Sequence, residues 1–204
     1  MRILTGKLKG RNIKMPKGIR PTRNLVRKAI FDILGDIEGL SFLELYAGSG
    51  AVGLEALSHG IKDLTLVEYN RDCLLVIQKN IESLQLKNCQ LCPKEAEEAI
   101  KMLKRSGRTF DIIFMDPPYH NMPPSAVTPN PAVTPKRIGS FGVSPSATKK
   151  TLQTLVSYDI LAPYGLLIIQ HFKKEDLPDA LGVLSLFKRK RYGNTLLSFY
   201  RRAE

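Results

Sequence analysis

At 204 residues with 43% hydrophobic side chains, the chain is long enough for one well-buried α/β domain with a small addition, and it has no apolar run of bilayer-spanning length. The net charge of +12, from 31 basic and 19 acidic residues, points to a polyanionic partner, nucleic acid before membrane, because no apolar amphipathic segment accompanies the charge. Three cysteines make no disulfide framework and Met1 to Lys7 holds no signal-peptide core, so a reduced cytoplasmic protein is expected.

The basic excess is segregated. From Met1 to Lys28 there are ten basic side chains and no acid: Arg2, Lys7, Lys9, Arg11, Lys14, Lys17, Arg20, Arg23, Arg27 and Lys28. Short alternating pieces broken by Gly6 and Gly10 predict a small basic β-hairpin or meander up to residue 19, which Pro16, Gly18 and Pro21 end. A helix is predicted from Thr22, as N-cap, to about Leu34, with Val26, Ala29, Ile30, Ile33 and Leu34 at helical spacing and Arg23, Arg27 and Lys28 on other faces, presenting charge.

From Ser41 a regular alternation sets in. Strand Phe42 to Tyr46 leads through a glycine turn to a helix ending near Ser58, and strand Leu64 to Val67 leads to a helix over 71–84. A weaker strand near Cys89 to Leu91 precedes a helix from Glu95 to Leu103. Strands separated by helices of this length imply right-handed βαβ units and a mostly parallel sheet. Cys89 and Cys92 match a metal-binding spacing, but no second pair follows and residues three apart on a strand point to opposite faces, so no metal site is expected.

The next apolar run, Ile112 to Met115, is short enough for a strand buried on both faces, and it ends in Asp116-Pro117-Pro118-Tyr119. Prolines lack the ladder donor and hold the chain extended just beyond the strand's carboxyl end, where open α/β sheets bind ligands. An acceptor-only carboxylate, a proline carbonyl and a flat π face together suit a planar ring bearing an exocyclic amino group. Residues 120–148 then hold six of the 13 prolines, a composition that predicts a mobile insertion. A helix from about Lys149 to Leu161, a strand Leu166 to Ile169, and a terminal hairpin of Val183 to Arg191 with Thr195 to Tyr200 complete the chain. The hairpin carries a second basic cluster, Lys188-Arg189-Lys190-Arg191.

Gly48-Ser49-Gly50-Ala51-Val52-Gly53 is a formal G-x-G-x-x-G between a strand and a helix, and Glu68 ends the next strand, where an acid can grip a ribose. The glycines alone do not separate a nicotinamide enzyme from one using S-adenosylmethionine. Three features favour the latter. Glu44, just ahead of the glycines, could meet an ammonium or sulfonium but would face a pyrophosphate unfavourably. Asp-Pro-Pro-Tyr has no evident part in hydride transfer, and the last strands form a hairpin rather than continuing a parallel sheet.

With these motifs in view, the chain resembles the RsmD-type methyltransferases, which modify the exocyclic N2 of a guanine in bacterial small-subunit ribosomal RNA. The resemblance rests on Met1-Arg2-Ile3, Gly6-Lys7, Lys9-Gly10-Arg11, Arg20-Pro21-Thr22, Val26-Arg27, Ile30-Phe31, Leu45-Tyr46-Ala47-Gly48-Ser49-Gly50, Gly53-Leu54-Glu55-Ala56, Val67-Glu68, Phe110-Asp111, Asp116 to Tyr119 and Tyr192-Gly193. It implies a class I, Rossmann-like fold with a seven-stranded, mostly parallel sheet and a terminal antiparallel strand. In that scheme residues 1–38 form a basic RNA-engaging extension and 39–204 the methyltransferase domain. It further implies a cofactor site of Glu44, Tyr46, Ala47, Gly48, Ser49, Gly50, Glu68 and Tyr69, and a target-base site of Asp116, Pro117, Pro118 and Tyr119. Arg2, Lys7, Lys9, Arg11, Arg20, Arg23 and Arg27 would meet RNA, and the expected protein is a metal-free monomer acting on ribosomal RNA in an assembling subunit. The chain departs from the pattern at Asn24 and Gln170, where acids are usual, at Cys92 to Glu95, and in the proline-rich insertion.

Overall fold

The computed structural model describes residues 1–19, 22–118 and 146–203. Arg20, Tyr119 and nearly all of the proline-rich insertion lie outside the described residues.

Among the described residues the strands are β1 (Ser41–Leu45), β2 (Asp63–Glu68), β3 (Cys89–Pro93), β4 (Phe110–Met115), β5 (Leu161–Phe172), β6 (Ala180–Leu181), β7 (Leu184–Tyr192) and β8 (Thr195–Arg202). They form one sheet in the order β3-β2-β1-β4-β5-β8-β7-β6. Strands β1 to β5 are parallel, and β8 runs antiparallel between β5 and β7. The predicted hairpin is thus present, and β6 adds a two-residue edge to the seven principal strands. The helices are α1 (Asn24–Leu34), α2 (Ala51–Ser58), α3 (Arg71–Leu84), α4 (Ala96–Arg105) and α5 (Ala147–Tyr158). The last begins inside the stretch assigned to the insertion.

Strand β4 shows why the sheet sits in the middle. Its side chains alternate, Ile112 and Phe114 joining a core with α1, α2 and α3, and Ile113 and Met115 joining one with α4 and α5. The same alternation puts Cys89 against the first core and Cys92 in the second, so the two thiols point apart. Order along the sheet reverses between β1 and β4, which leaves a crevice at their carboxyl ends.

The amino-terminal segment forms a rudimentary version of the predicted hairpin: Arg2 and Asn12 bridge antiparallel, with Ile3 N–H donating to the Arg11 carbonyl at 3.0 Å and Ile13 N–H to the Met1 carbonyl at 2.7 Å. The next donors leave the pairing: the Leu4 and Thr5 amides donate to the Glu55 carboxylate on α2, at 2.9 and 2.7 Å. Ile3 and Ile13 meanwhile enter the same core as Val26, Ile30 and Phe42. Helix α1 is also capped otherwise than expected. Arg23 stands at the N-cap without a side-chain bond, and the Thr22 hydroxyl is used elsewhere.

Candidate active site

The turn after β1 is built from main-chain bonds. Ala47 N–H donates to the Val67 carbonyl at 3.0 Å and Gly50 N–H to the Ala47 carbonyl at 2.7 Å, which closes the loop and starts α2 at Ala51. Gly48 and Gly50 take left-handed φ values of 57° and 74°, and Tyr46, which has a Cβ, is held at 59°. The tyrosine is fixed by its other end: its hydroxyl lies 2.6 Å from Thr151 Oγ1 on α5, and Thr151 in turn donates to Glu97 on α4. Burial pushes the Tyr46 phenol up to about 12.

Two carboxylates brace this turn. Glu68 Oε2 accepts from Gly48 N–H at 2.8 Å, while its Oε1 accepts from the Tyr69 and Asn70 amides, each at 2.9 Å. The end of β2 and the glycine turn are thereby tied together. Glu44 on β1 is 3% exposed, and its Oε2 accepts from Gly53 N–H at 2.7 Å in the first turn of α2. A Cβ at Gly53 would stand 2.8 Å from that oxygen and 2.7 Å from Leu64 Cδ1, so only glycine lets β1 and β2 approach the helix this closely. Burial pushes the Glu44 carboxyl up to about 8; the Gly53 and Val52 amides oppose the shift, and the charges of Asp116 and Glu68 reinforce it. Glu44, Glu68 and Asp116 therefore form one electrostatic group at the carboxyl ends of β1, β2 and β4.

Asp116 follows β4 and is half-buried, with Pro117 buried behind it and Pro118 exposed. Its Oδ2 accepts a 2.6 Å bond from the Gln170 side-chain amide on β5 and a 3.3 Å bond from the Thr22 hydroxyl. Neither partner is recognisable from local pattern, since they lie 54 and 94 residues away in the chain. Of the remaining candidates, Ala47 and Ser49 are buried in the turn and Tyr69 is exposed beside Glu68. Tyr119 lies outside the described residues, so its ring has no described place.

The basic candidates divide. Arg2, Lys7, Lys9, Arg11 and Arg23 are exposed, with Lys7 paired to Glu38 at 2.8 Å and Arg11 donating to the Ser83 carbonyl at 3.2 Å. Arg20 lies outside the described residues. Arg27 does not present charge as expected. It is fully buried, its Nε stands 3.2 Å from Glu55 Oε2, and its Nη2 donates to the Arg2 carbonyl at 2.6 Å. The spacing contained the reason: Val26, Arg27, Ile30 and Phe31 form one buried stripe, and position 27 can enter it because Glu55 waits there. Burial lowers the Arg27 pKa from its ordinary value, with Glu55 and Glu44 opposing the shift. A Cβ at Gly193, in the β7–β8 turn, would be 3.9 Å from Arg23 Nη1, so the Arg23 guanidinium lies near the turn that follows Lys188 to Arg191.

Among the described residues no group of three or more His, Cys, Asp and Glu side chains could hold a metal ion, and no helix is long and apolar enough to cross a membrane.

A family model described as "Conserved hypothetical protein 95" matches residues 1–128. The chain is 29% identical to a Bacillus subtilis (strain 168) protein provisionally named rRNA methyltransferase YlbH, over 99% of each chain. It is 35% identical to Ribosomal RNA small subunit methyltransferase D of Escherichia coli (strain K12), over 58% of this chain and 60% of that protein, so the match spans less than two thirds of that relative. The solved structure of an Escherichia coli protein provisionally titled methyltransferase yhhF superposes with a TM-score of 0.76 at 28% identity, covering 99% of this chain and 97% of that one. The fold described above is accordingly the S-adenosylmethionine-dependent methyltransferase fold, and the chain belongs to the RsmD-type methyltransferase family.

Proposed function

We propose that the protein transfers a methyl group from S-adenosylmethionine to the exocyclic N2 of a guanine in small-subunit ribosomal RNA. The observation that carries the reading is the meeting, in one crevice, of the Asp116-Pro117-Pro118 strand end with a glycine turn flanked by two further carboxylates. The polymer comes from the names of the relatives, and the guanine from the family resemblance alone.

The donor set suits such a cofactor. The acidic groups Glu44, Glu68 and Asp116 together favour a ligand with sulfonium and ammonium charges, which would also favour ionisation of Glu44, and disfavour a pyrophosphate. Glu68, at the end of β2 beside the glycine turn, would meet the ribose, and Glu44 would face the methionine moiety. When bound, the sulfonium would supply an electrophilic methyl group and its own leaving group.

The chain's work is then to present the amine. An aryl amino group is a weak nucleophile because its lone pair is delocalised into the ring. Hydrogen bonds from that group to Asp116 and to the Pro117 carbonyl would orient the lone pair toward the methyl group, and the Asp116 carboxylate would accept the proton that becomes acidic after transfer. Tyr119 would fix the ring plane by stacking.

Asp116→Ala tests the assignment. The variant should bind S-adenosylhomocysteine, followed by calorimetry, with affinity close to the parent protein, while methyl transfer to unmodified small-subunit rRNA falls by about a hundredfold or more. Retained turnover would falsify the reading. The same assay with duplex DNA separates this function from adenine or cytosine methylation of DNA, and cofactor binding without turnover on any RNA would indicate an assembly protein on a methyltransferase scaffold.

A further inference from the structure

We infer that Thr22 and Gln170 are positioning residues for the Asp116 carboxylate, so that the amino-terminal segment supplies part of the catalytic site as well as basic charge. The inference rests on the methyl-transfer reading, in which Asp116 receives the target amine.

The geometry carries it. The Gln170 amide and the Thr22 hydroxyl both donate to the same oxygen, Oδ2, at 2.6 and 3.3 Å. A carboxylate on a short side chain can rotate about its Cβ–Cγ bond, and two donors from different elements on one oxygen hold that rotation in place. They thereby fix the direction in which the group accepts from an incoming amine. Gln170 is 6% exposed and belongs to β5, which is hydrogen-bonded to β4 in register, Met115 beside Ile169. That donor is as rigid as the sheet, and an amide donates regardless of pH.

Thr22 comes from the opposite direction. It stands just before α1, whose position is set by the buried pair of Arg27 with Glu55 and by Val26 and Ile30 in the core. The first residues of the chain are held to α2 by the same Glu55 and by Ser58, which accepts from the Leu8 amide at 2.8 Å on its hydroxyl and from Lys7 N–H at 2.7 Å on its carbonyl. The threonine is thus presented by a docked segment. Its bond, at 3.3 Å, is longer than that from Gln170, which makes Gln170 the stronger of the two donors. The next residue, Arg23, is exposed and its guanidinium lies near the β7–β8 turn, so RNA that engages Arg23 acts one residue from the Asp116 contact.

The experiment compares Thr22→Val, Thr22→Ser, Gln170→Met and the Thr22→Val/Gln170→Met double variant with the parent protein. Valine removes the hydroxyl at nearly constant volume. Transfer to unmodified small-subunit rRNA is measured alongside S-adenosylhomocysteine affinity, RNA affinity and melting temperature. The expected result is a fall in kcat of about tenfold or more for each single removal, with KM, both affinities and melting unchanged. Serine should restore kcat to within about threefold, and the double variant should be no worse than about the poorer single one, because both donors serve one carboxylate. Wild-type kcat in Thr22→Val overturns the inference, as does a loss accompanied by weaker cofactor binding or lower melting, which would make the contact merely structural. If the parent protein itself transfers no methyl group to RNA, the functional reading fails first.

Discussion

At the scale of single residues, Glu44 is the group whose state depends most on what fills the crevice. Its carboxyl is pushed up to about 8 from 4.5, so between those values the folded protein binds a proton that the unfolded chain has released. The stability this group contributes is therefore fully present below its unfolded pKa and is lost as pH rises through the folded value, by about 1.4 kcal/mol per pH unit. A cation in the crevice favours the ionised form. Binding of S-adenosylmethionine should accordingly release protons near neutrality and tighten as pH rises toward 8, with a flatter profile in Glu44→Gln. Calorimetry in buffers of different ionisation enthalpy would measure the proton count, and a pH-independent affinity would remove Glu44 from the cofactor's electrostatics. Glu44, Glu68 and Asp116 were all visible in the sequence, Glu68 and Asp116 because each ends a short apolar run and Glu44 because it stands just ahead of the glycine turn. Thr22 and Gln170 were visible only as a helix cap and a departure from family pattern, since no local periodicity reports a contact made across the sheet.

At the scale of elements, the amino-terminal segment and α2 act as one unit through Glu55. That carboxylate, 1% exposed, accepts from the Leu4 and Thr5 amides and the Thr5 hydroxyl and is paired with Arg27. Removing one member of a buried pair leaves the other desolvated and unpaired. Arg27→Met should therefore lower unfolding free energy by on the order of 3 kcal/mol in urea titrations. Lys28→Met, which breaks an exposed pair with Asp32 on the same helix, should change it by less than about 0.5 kcal/mol. Equal effects would mean that α1 is not held by this pair. The Arg27 assignment shows how an element can be located correctly and its faces misread. Helical spacing gave the helix, but a charged residue in the buried stripe was put on the surface because its partner lies on α2, which no property of the helix itself announces.

For the whole molecule, the charge excess becomes a surface only on folding. Arg23, from the amino-terminal cluster, lies near the β7–β8 turn that follows the second cluster, at the edge of the sheet that carries Asp116. If RNA is held there through its phosphates, affinity should fall steeply with added salt, and Arg23→Gln should reduce the slope of log K against log salt by about one contact's share, about 0.7 to 0.9. Filter binding across a salt series would show it, and an unchanged slope would place the RNA elsewhere. Composition, apolar periodicity and glycine and proline placement are local properties, and they were enough to locate the principal strands and the helices, the glycine turn and the Asp-Pro-Pro end, though not β6 or the early start of β5 at Leu161. What only the tertiary structure decided is how distant polar groups pair: Arg27 with Glu55 in the core, Glu44 with the α2 amides, and Thr22 and Gln170 on one oxygen of Asp116. The physical reason is that a buried charge or donor must find its complement somewhere in space, and where that complement lies is set by the packing of elements, which local pattern does not encode.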